Sequence, residues 1–302
     1  MLQEKAAKKK KGGHQGDSSR RLTAVPPVAD GEFSHNGIHL SYEVHGRGPR
    51  VLVYLHGLLL DRHLNRPVAS SLAEHGNMVV LLDLPGHGSS DKPRHASSHR
   101  MDSYADCVIG LLDHLGTETA VVGGVSLGAN VALQCAAHHP SRVRGLLLEM
   151  PVLELAVPAA GIVFLPLLMG LHYAARAFRL LGDVTRRLPM TSSWVVEGLR
   201  APISLRPEES AAVLHGLFVG PIAPTVEQRR SITAPTLVIG HRADLIHPFS
   251  DAANLVAQLP QGRLIQATSI MEMRVHPERL TGEIADFLDE VWQVRDMREV
   301  EG

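Results

Sequence analysis

Thr119-Ala120-Val121-Val122-Gly123-Gly124-Val125-Ser126-Leu127-Gly128-Ala129-Asn130-Val131-Ala132-Leu133 decides the fold of this chain. The β-branched run Thr119 to Gly123 predicts a short strand, and Ala129 to Ala137 has the composition of a helix. Between them Gly124-Val125-Ser126-Leu127-Gly128 has the form G-x-S-x-G. That pattern, between a strand and a helix, predicts a sharp turn that lifts a serine hydroxyl clear of the backbone. The glycines let strand and helix approach closely. At a helix N-terminus the serine also feels the positive end of the helix dipole, which favours negative charge developing beside it.

Outward from this turn the punctuation is regular. Asn36-Gly37 separates two strand-like runs, as in a hairpin. Val51 to Leu55, Met78 to Leu82, Val143 to Glu149, Pro235 to Gly240 and Arg263 to Ala267 read as buried strands. Pro67 to His75, Met101 to Leu115, Ser250 to Leu259 and Pro277 to about Val291 read as helices between or after them. Continuous apolar strands alternating with helices predict an α/β fold, a mostly parallel central sheet covered on both faces. The expected organisation is a basic N-terminal tail over 1–30, a first core segment over 31–150, an inserted helical cap over 151–225 and a second core segment over 226–302.

The cap carries an apolar run, with Val152, Leu153, Leu155, Val157, Ile162, Val163, Phe164, Leu165, Leu167, Leu168 and Met169. Glu154, Pro158, Gly161, Pro166 and Gly170 interrupt it, which argues against a membrane span and against stable insertion. Packing of cap against body is expected to account for most of these side chains, and an apolar cleft for the rest. Arg176, Arg179, Arg186 and Arg187 read as a solvated helix face, with contact to a membrane surface as the other reading.

Composition bounds the function. A chain of 302 residues with 44% hydrophobic residues can build a sizeable core. A net charge of −1 argues against bulk electrostatic binding of nucleic acid. The tail holds Lys8 to Lys11 but too little apolar surface to fold, so it is expected to be solvated and disordered. No apolar stretch at the start is long enough for a signal peptide, so a cytoplasmic location is expected. Cys107 and Cys135 fall on apolar helix faces and read as buried thiols.

The succession His56-Gly57, Asp83-x-Pro-Gly-His-Gly, the serine turn, a cap and Gly240-x-x-x-Asp244 resembles the α/β-hydrolase superfamily over roughly residues 31–290. The resemblance implies Ser126 as nucleophile and Asp244 as the acid, with Glu149 and Glu154 in reserve. It implies an oxyanion site made by the backbone N–H groups of Leu58 and Leu127, and supporting roles for His56 and His87. No metal or organic cofactor is implied. A serine rather than an aspartate at the turn speaks against the dehalogenase and epoxide-hydrolase branches.

One motif departs. The superfamily places a Gly-His pair before the last helix, and counting back from Pro277 lands on Ser269-Ile270. Isoleucine cannot accept a proton, and a serine without a base is a poor nucleophile. His247, three residues beyond Asp244, is the leading substitute; His276 is a second, and His63 and His172 could overhang the site from the cap side. The expected function is a serine hydrolase cleaving an ester, thioester or lactone of a small apolar carbonyl substrate. The rivals are a non-hydrolytic relative that binds a ligand or partner, and lyase-type proton transfer in the same pocket.

Overall fold

The computed structural model describes residues 29–189, 196, 200, 202–242, 244 and 246–300, with 294–300 described by their backbone alone. The tail expected over 1–30 therefore lies outside the described residues except for 29–30, which already belong to the first strand. Residues 190–195, 197–199 and 201 of the expected cap span lie outside them too.

Eight strands form one sheet: β1 (Ala29–His35), β2 (Ile38–His45), β3 (Val51–Leu55), β4 (Met78–Leu82), β5 (Ala120–Val125), β6 (Val143–Glu149), β7 (Thr236–His241) and β8 (Gly262–Ala267). Their spatial order is β1-β2-β4-β3-β5-β6-β7-β8. The pairs β1–β2 and β2–β4 are antiparallel, and every later pair is parallel. Strand β5 lies between β3 and β6, so the serine turn leaves the middle of the sheet.

Strands β3, β5, β6 and β7 are buried almost throughout because both faces are covered, which is why their centres read as continuous apolar stretches rather than alternating ones. Successive side chains still part to opposite faces. Val51, Val53 and Leu55 pack with α2 (Met101–His114) and α3 (Leu127–His138). Leu52 and Tyr54 pack with α1 (Arg66–Glu74) and the long C-terminal helix Glu278–Val300. That last helix runs further than its apolar face predicted. Cys107 and Cys135 are buried and unpaired.

Between β6 and β7 the chain leaves the sheet for the cap: α4 (Ala156–Tyr173), α5 (Ala175–Arg187) and α6 (Pro207–Val219). The apolar run that opens the cap is itself helical. Its inner face packs Leu168 and Leu171 on Leu214 of α6. Here one expectation is corrected: body packing does not absorb most of the apolar run, because Leu155, Val157, Ile162, Val163, Leu165 and Met169 are exposed. A single helix has only one face toward the body, and α4 is apolar all round.

Ile284 of the C-terminal helix is fully buried beneath the sheet. Ile284→Ala should lower the stability of the fold by about 2–5 kcal/mol, read as a reduced urea midpoint at unchanged slope.

Candidate active site

The turn after β5 is held by close backbone approach. A Cβ on Gly124 would sit 2.6 Å from the Leu55 carbonyl oxygen, and one on Gly128 would sit 2.7 Å from the same atom. No side chain fits at either place. Ser126 itself has φ 53° and ψ −107°, a conformation that costs an L-residue about 1–3 kcal/mol. Its N–H donates to the Glu149 carbonyl at 2.8 Å, and its carbonyl accepts from the Asn130 N–H at 3.1 Å. The end of β6 and the first turn of α3 thus fix the serine from both sides.

The loop after β7 supplies the partners. His247 Nε2 lies 2.8 Å from Ser126 Oγ, and His247 Nδ1 lies 2.8 Å from Asp244 Oδ2. An ionised carboxylate only accepts, so Nδ1 carries the proton, leaving Nε2 free to accept from the serine hydroxyl. Asp244 Oδ1 accepts the N–H groups of Ile246 at 2.8 Å and His247 at 3.1 Å. Burial raises the pKa of Asp244, but the hydrogen bond and charge of His247, with these two amides, hold it below the ordinary carboxylate value. Ser126, His247 and Asp244 therefore form one continuous hydrogen-bonded chain.

Above it lies a cavity of about 440 Å³. Leu58, Leu64, Val152, Phe164 and Leu217 give it an apolar lining, and Ser126, Asp244 and His247 open into it. Leu58 and Leu127 both border the cavity next to Ser126. Leu127 is the first residue of α3, where a backbone N–H has no acceptor inside the helix. Ile270 is half-exposed and lines the cavity as an apolar side chain.

The other candidates are engaged elsewhere. His63 pairs with Asp61 at 3.0 Å, and His172 stacks edge-on against Tyr173; neither borders the cavity. His276 is exposed at the end of the short helix Glu272–Val275 and does not border it either. Glu154 pairs with Arg229. His56 donates from Nδ1 to the Gly57 carbonyl at 2.8 Å and accepts the Leu84 N–H at 3.1 Å, tying the Leu58 loop to the Asp83 turn. His87 is completely buried, and burial pushes its pKa well below the ordinary imidazole value.

Three supporting residues escaped the sequence reading. Asn130 accepts the Val152 N–H and donates to the carbonyls of Val152 and Ile222, so it grips both ends of the cap from the helix that follows the serine. Asp251, just after the His247 loop, accepts the N–H groups of Leu153, Leu155 and Ala156 at the start of α4. Arg274, buried at the cavity wall, pairs with Glu149 and also donates to Asn65 at 3.2 Å. Each acts across a long sequence separation, and no local pattern marks it. Among the described residues no group of three or more His, Cys, Asp or Glu is placed to hold a metal ion.

Comparison with known proteins bears on the family and the fold. Residues 50–266 match the family model of the alpha/beta hydrolase fold. The chain belongs to the alpha/beta hydrolase fold family. It is 26% identical to the uncharacterized hydrolase YugF of Bacillus subtilis (strain 168), over 88% of this chain and 100% of that one. It is 29% identical to the 2-hydroxymuconate semialdehyde hydrolase of Pseudomonas sp. (strain CF600), over 82% of this chain and 86% of that one. The structure of a thermophilic esterase from Thermogutta terrifontis superposes with a TM-score of 0.65 at 25% identity, covering 88% of this chain and 99% of that one.

Glu149 gives the site a pH signature in stability. Burial raises its pKa, but the charge and hydrogen bond of the Arg274 guanidinium, together with His241, hold it at about 2, against an ordinary 4.5. The folded value is depressed, so the stabilisation is complete above pH 4.5 and is lost as the pH falls toward 2. Arg274→Met leaves a buried unpaired carboxylate and should cost about 3–5 kcal/mol at neutral pH. In urea titrations across this range, the gap between wild type and variant should narrow as the solution is acidified.

Proposed function

We propose that the protein is a serine hydrolase of the esterase or lipase kind, cleaving an ester, thioester or lactone of a small apolar molecule through an acyl-enzyme. The observation that carries this reading is the relay at 2.8 Å and 2.8 Å from Ser126 through His247 to Asp244, opening into an apolar cavity. The esterase and hydrolase relatives support the reaction class. A cavity with so few polar groups favours an apolar acyl group over a charged one.

In this reading Ser126 Oγ attacks the substrate carbonyl carbon while its proton passes to His247 Nε2. The new oxyanion is met by the N–H groups of Leu58 and Leu127, which both border the cavity. Asp244 stabilises the imidazolium and holds its tautomer. Collapse of the intermediate breaks the bond to the alcohol or thiol, which takes the proton from His247. Water then gives a proton to His247 and attacks the acyl carbon; the bond to Ser126 Oγ breaks, Oγ takes that proton back from His247, and the acid is released. Asn130 and Asp251 position the cap over this chemistry without touching the reacting atoms. The non-hydrolytic reading drew on the absence of histidine at 270; the imidazole of His247 beside Ser126 counts against it.

A fluorophosphonate probe should form an adduct located by mass on Ser126, absent in Ser126→Ala. In His247→Ala the labelling rate should fall by about a thousandfold or more, and labelling retained at the wild-type rate would remove His247 from the relay. Asp244→Asn should keep the fold, by circular dichroism, while kcat on a p-nitrophenyl ester falls by up to about ten-thousandfold, because the tautomer is no longer fixed.

A further inference from the structure

Helix α5 is amphipathic in the wrong sense for a helix stabilised only by the body of the protein. At about 100° per residue, Leu180, Leu181, Val184 and Leu188 share one arc, continued by Ala177. The face turned to the protein is instead carried by Phe178, partly buried against Gly170, and by Gly182, which is buried. The leucine and valine arc faces solvent, with Leu180 68% exposed. Helix α4 continues the same pattern. It carries no Asp, Glu, Lys or Arg, and its outer side presents Ile162 at 76% exposure and Tyr173 at 77%, with Leu165 and Met169 between them. Exposed apolar surface on this scale marks an interaction site.

Charge identifies the occupant. Arg176 and Arg187 flank the α5 arc on one side, both exposed, and neither has an ionic partner among the described residues. The nearby acids are already engaged, Asp183 by Arg186 and Glu208 by Arg179. The face therefore offers apolar side chains bordered by uncompensated positive charge, the pattern of a helix lying in the plane of an anionic lipid surface. A symmetric contact with a second copy would bring the same arginines near one another, and the described acids nearest them, Asp183 and Glu208, are already paired. By length and composition α4 could also cross a membrane. Its inner side, however, is committed to Leu214 and to the cavity through Val157, Gly161 and Phe164.

We infer that the outer face of α4 and α5 docks this protein peripherally on a bilayer containing anionic lipid, with the apolar arc in the interface and Arg176 and Arg187 at the headgroups. The same helix α4 then has lipid on one side and the candidate active-site cavity on the other.

The test is flotation of the full chain with vesicles of phosphatidylcholine alone or of phosphatidylcholine mixed equally with phosphatidylglycerol. Flotation is read without turnover, so it stands apart from the acyl-transfer chemistry. The chain should float with the mixed vesicles, less at high salt, and far less with phosphatidylcholine alone. Arg176→Gln with Arg187→Gln should weaken partitioning roughly thirtyfold, each arginine near an anionic surface being worth about fivefold. Ile162→Ser with Leu180→Ser should abolish it while thermal unfolding stays at the wild-type midpoint, since both side chains are exposed. Absence of flotation with mixed vesicles, or wild-type flotation by either pair of variants, overturns the inference. So does a stable dimer in light scattering that the Ile162→Ser, Leu180→Ser pair disperses, because a second copy then covers the face.

Discussion

The approach of two glycines to one carbonyl oxygen is the constraint on which the rest depends. Gly124 and Gly128 both lie against Leu55, closer than any Cβ allows, and the chain between them turns from strand to helix. Ser126 is left at φ 53°, a strain tolerated because the packed sheet and α3 over-determine the turn. Because Ser126 donates its N–H to Glu149, the strain is tied to the end of β6 as well. A looser turn would let the hydroxyl swing away from His247, and the cavity would then sit above an unaimed serine.

The hydrogen-bonded chain that ends on Ser126 draws both of its other members from a single loop. Asp244 and His247 come from one loop, three residues apart, and the aspartate also caps the backbone N–H of its own histidine. Carboxylate and imidazole are thus joined by hydrogen bonds within one loop after β7. The segment after β8 supplies Ile270 and Met271 to the cavity and Arg274 to the buried cluster beneath. That cluster joins Glu149, Arg274, Tyr54 and Asn65 across four separate elements. A buried ion pair of this kind is a weak source of net stability but a strong one of specificity, since loss of either partner strands a charge. Here it locks the end of β6, which also holds Ser126.

Asn130 and Asp251 extend the same logic to the cap. One side chain from the helix after the serine and one from the helix after the histidine each satisfy several backbone groups where the cap begins. The cap is therefore referenced to both halves of the relay. Its inner face closes the cavity, and its outer face carries apolar and basic groups that the body of the protein does not use.

Much of the fold was legible in the sequence because its signals are local. Both faces of the sheet are covered, so β3 and β4 read as unbroken apolar runs at the limits observed, and β6 is read at its observed limits from its Leu146 to Leu148 centre. The serine turn was marked by glycines that sterics require. The proximity of His247 to Asp244 was legible from their spacing, but not its distance to Ser126, a residue 121 positions away. Only the tertiary structure could say which of the 18 histidines lies against Ser126, because that is a matter of distance rather than of order in the chain. It alone also decided which side of each cap helix faces the body. Periodicity gives the apolar arc of α5 but not its direction, and packing turned that arc outward.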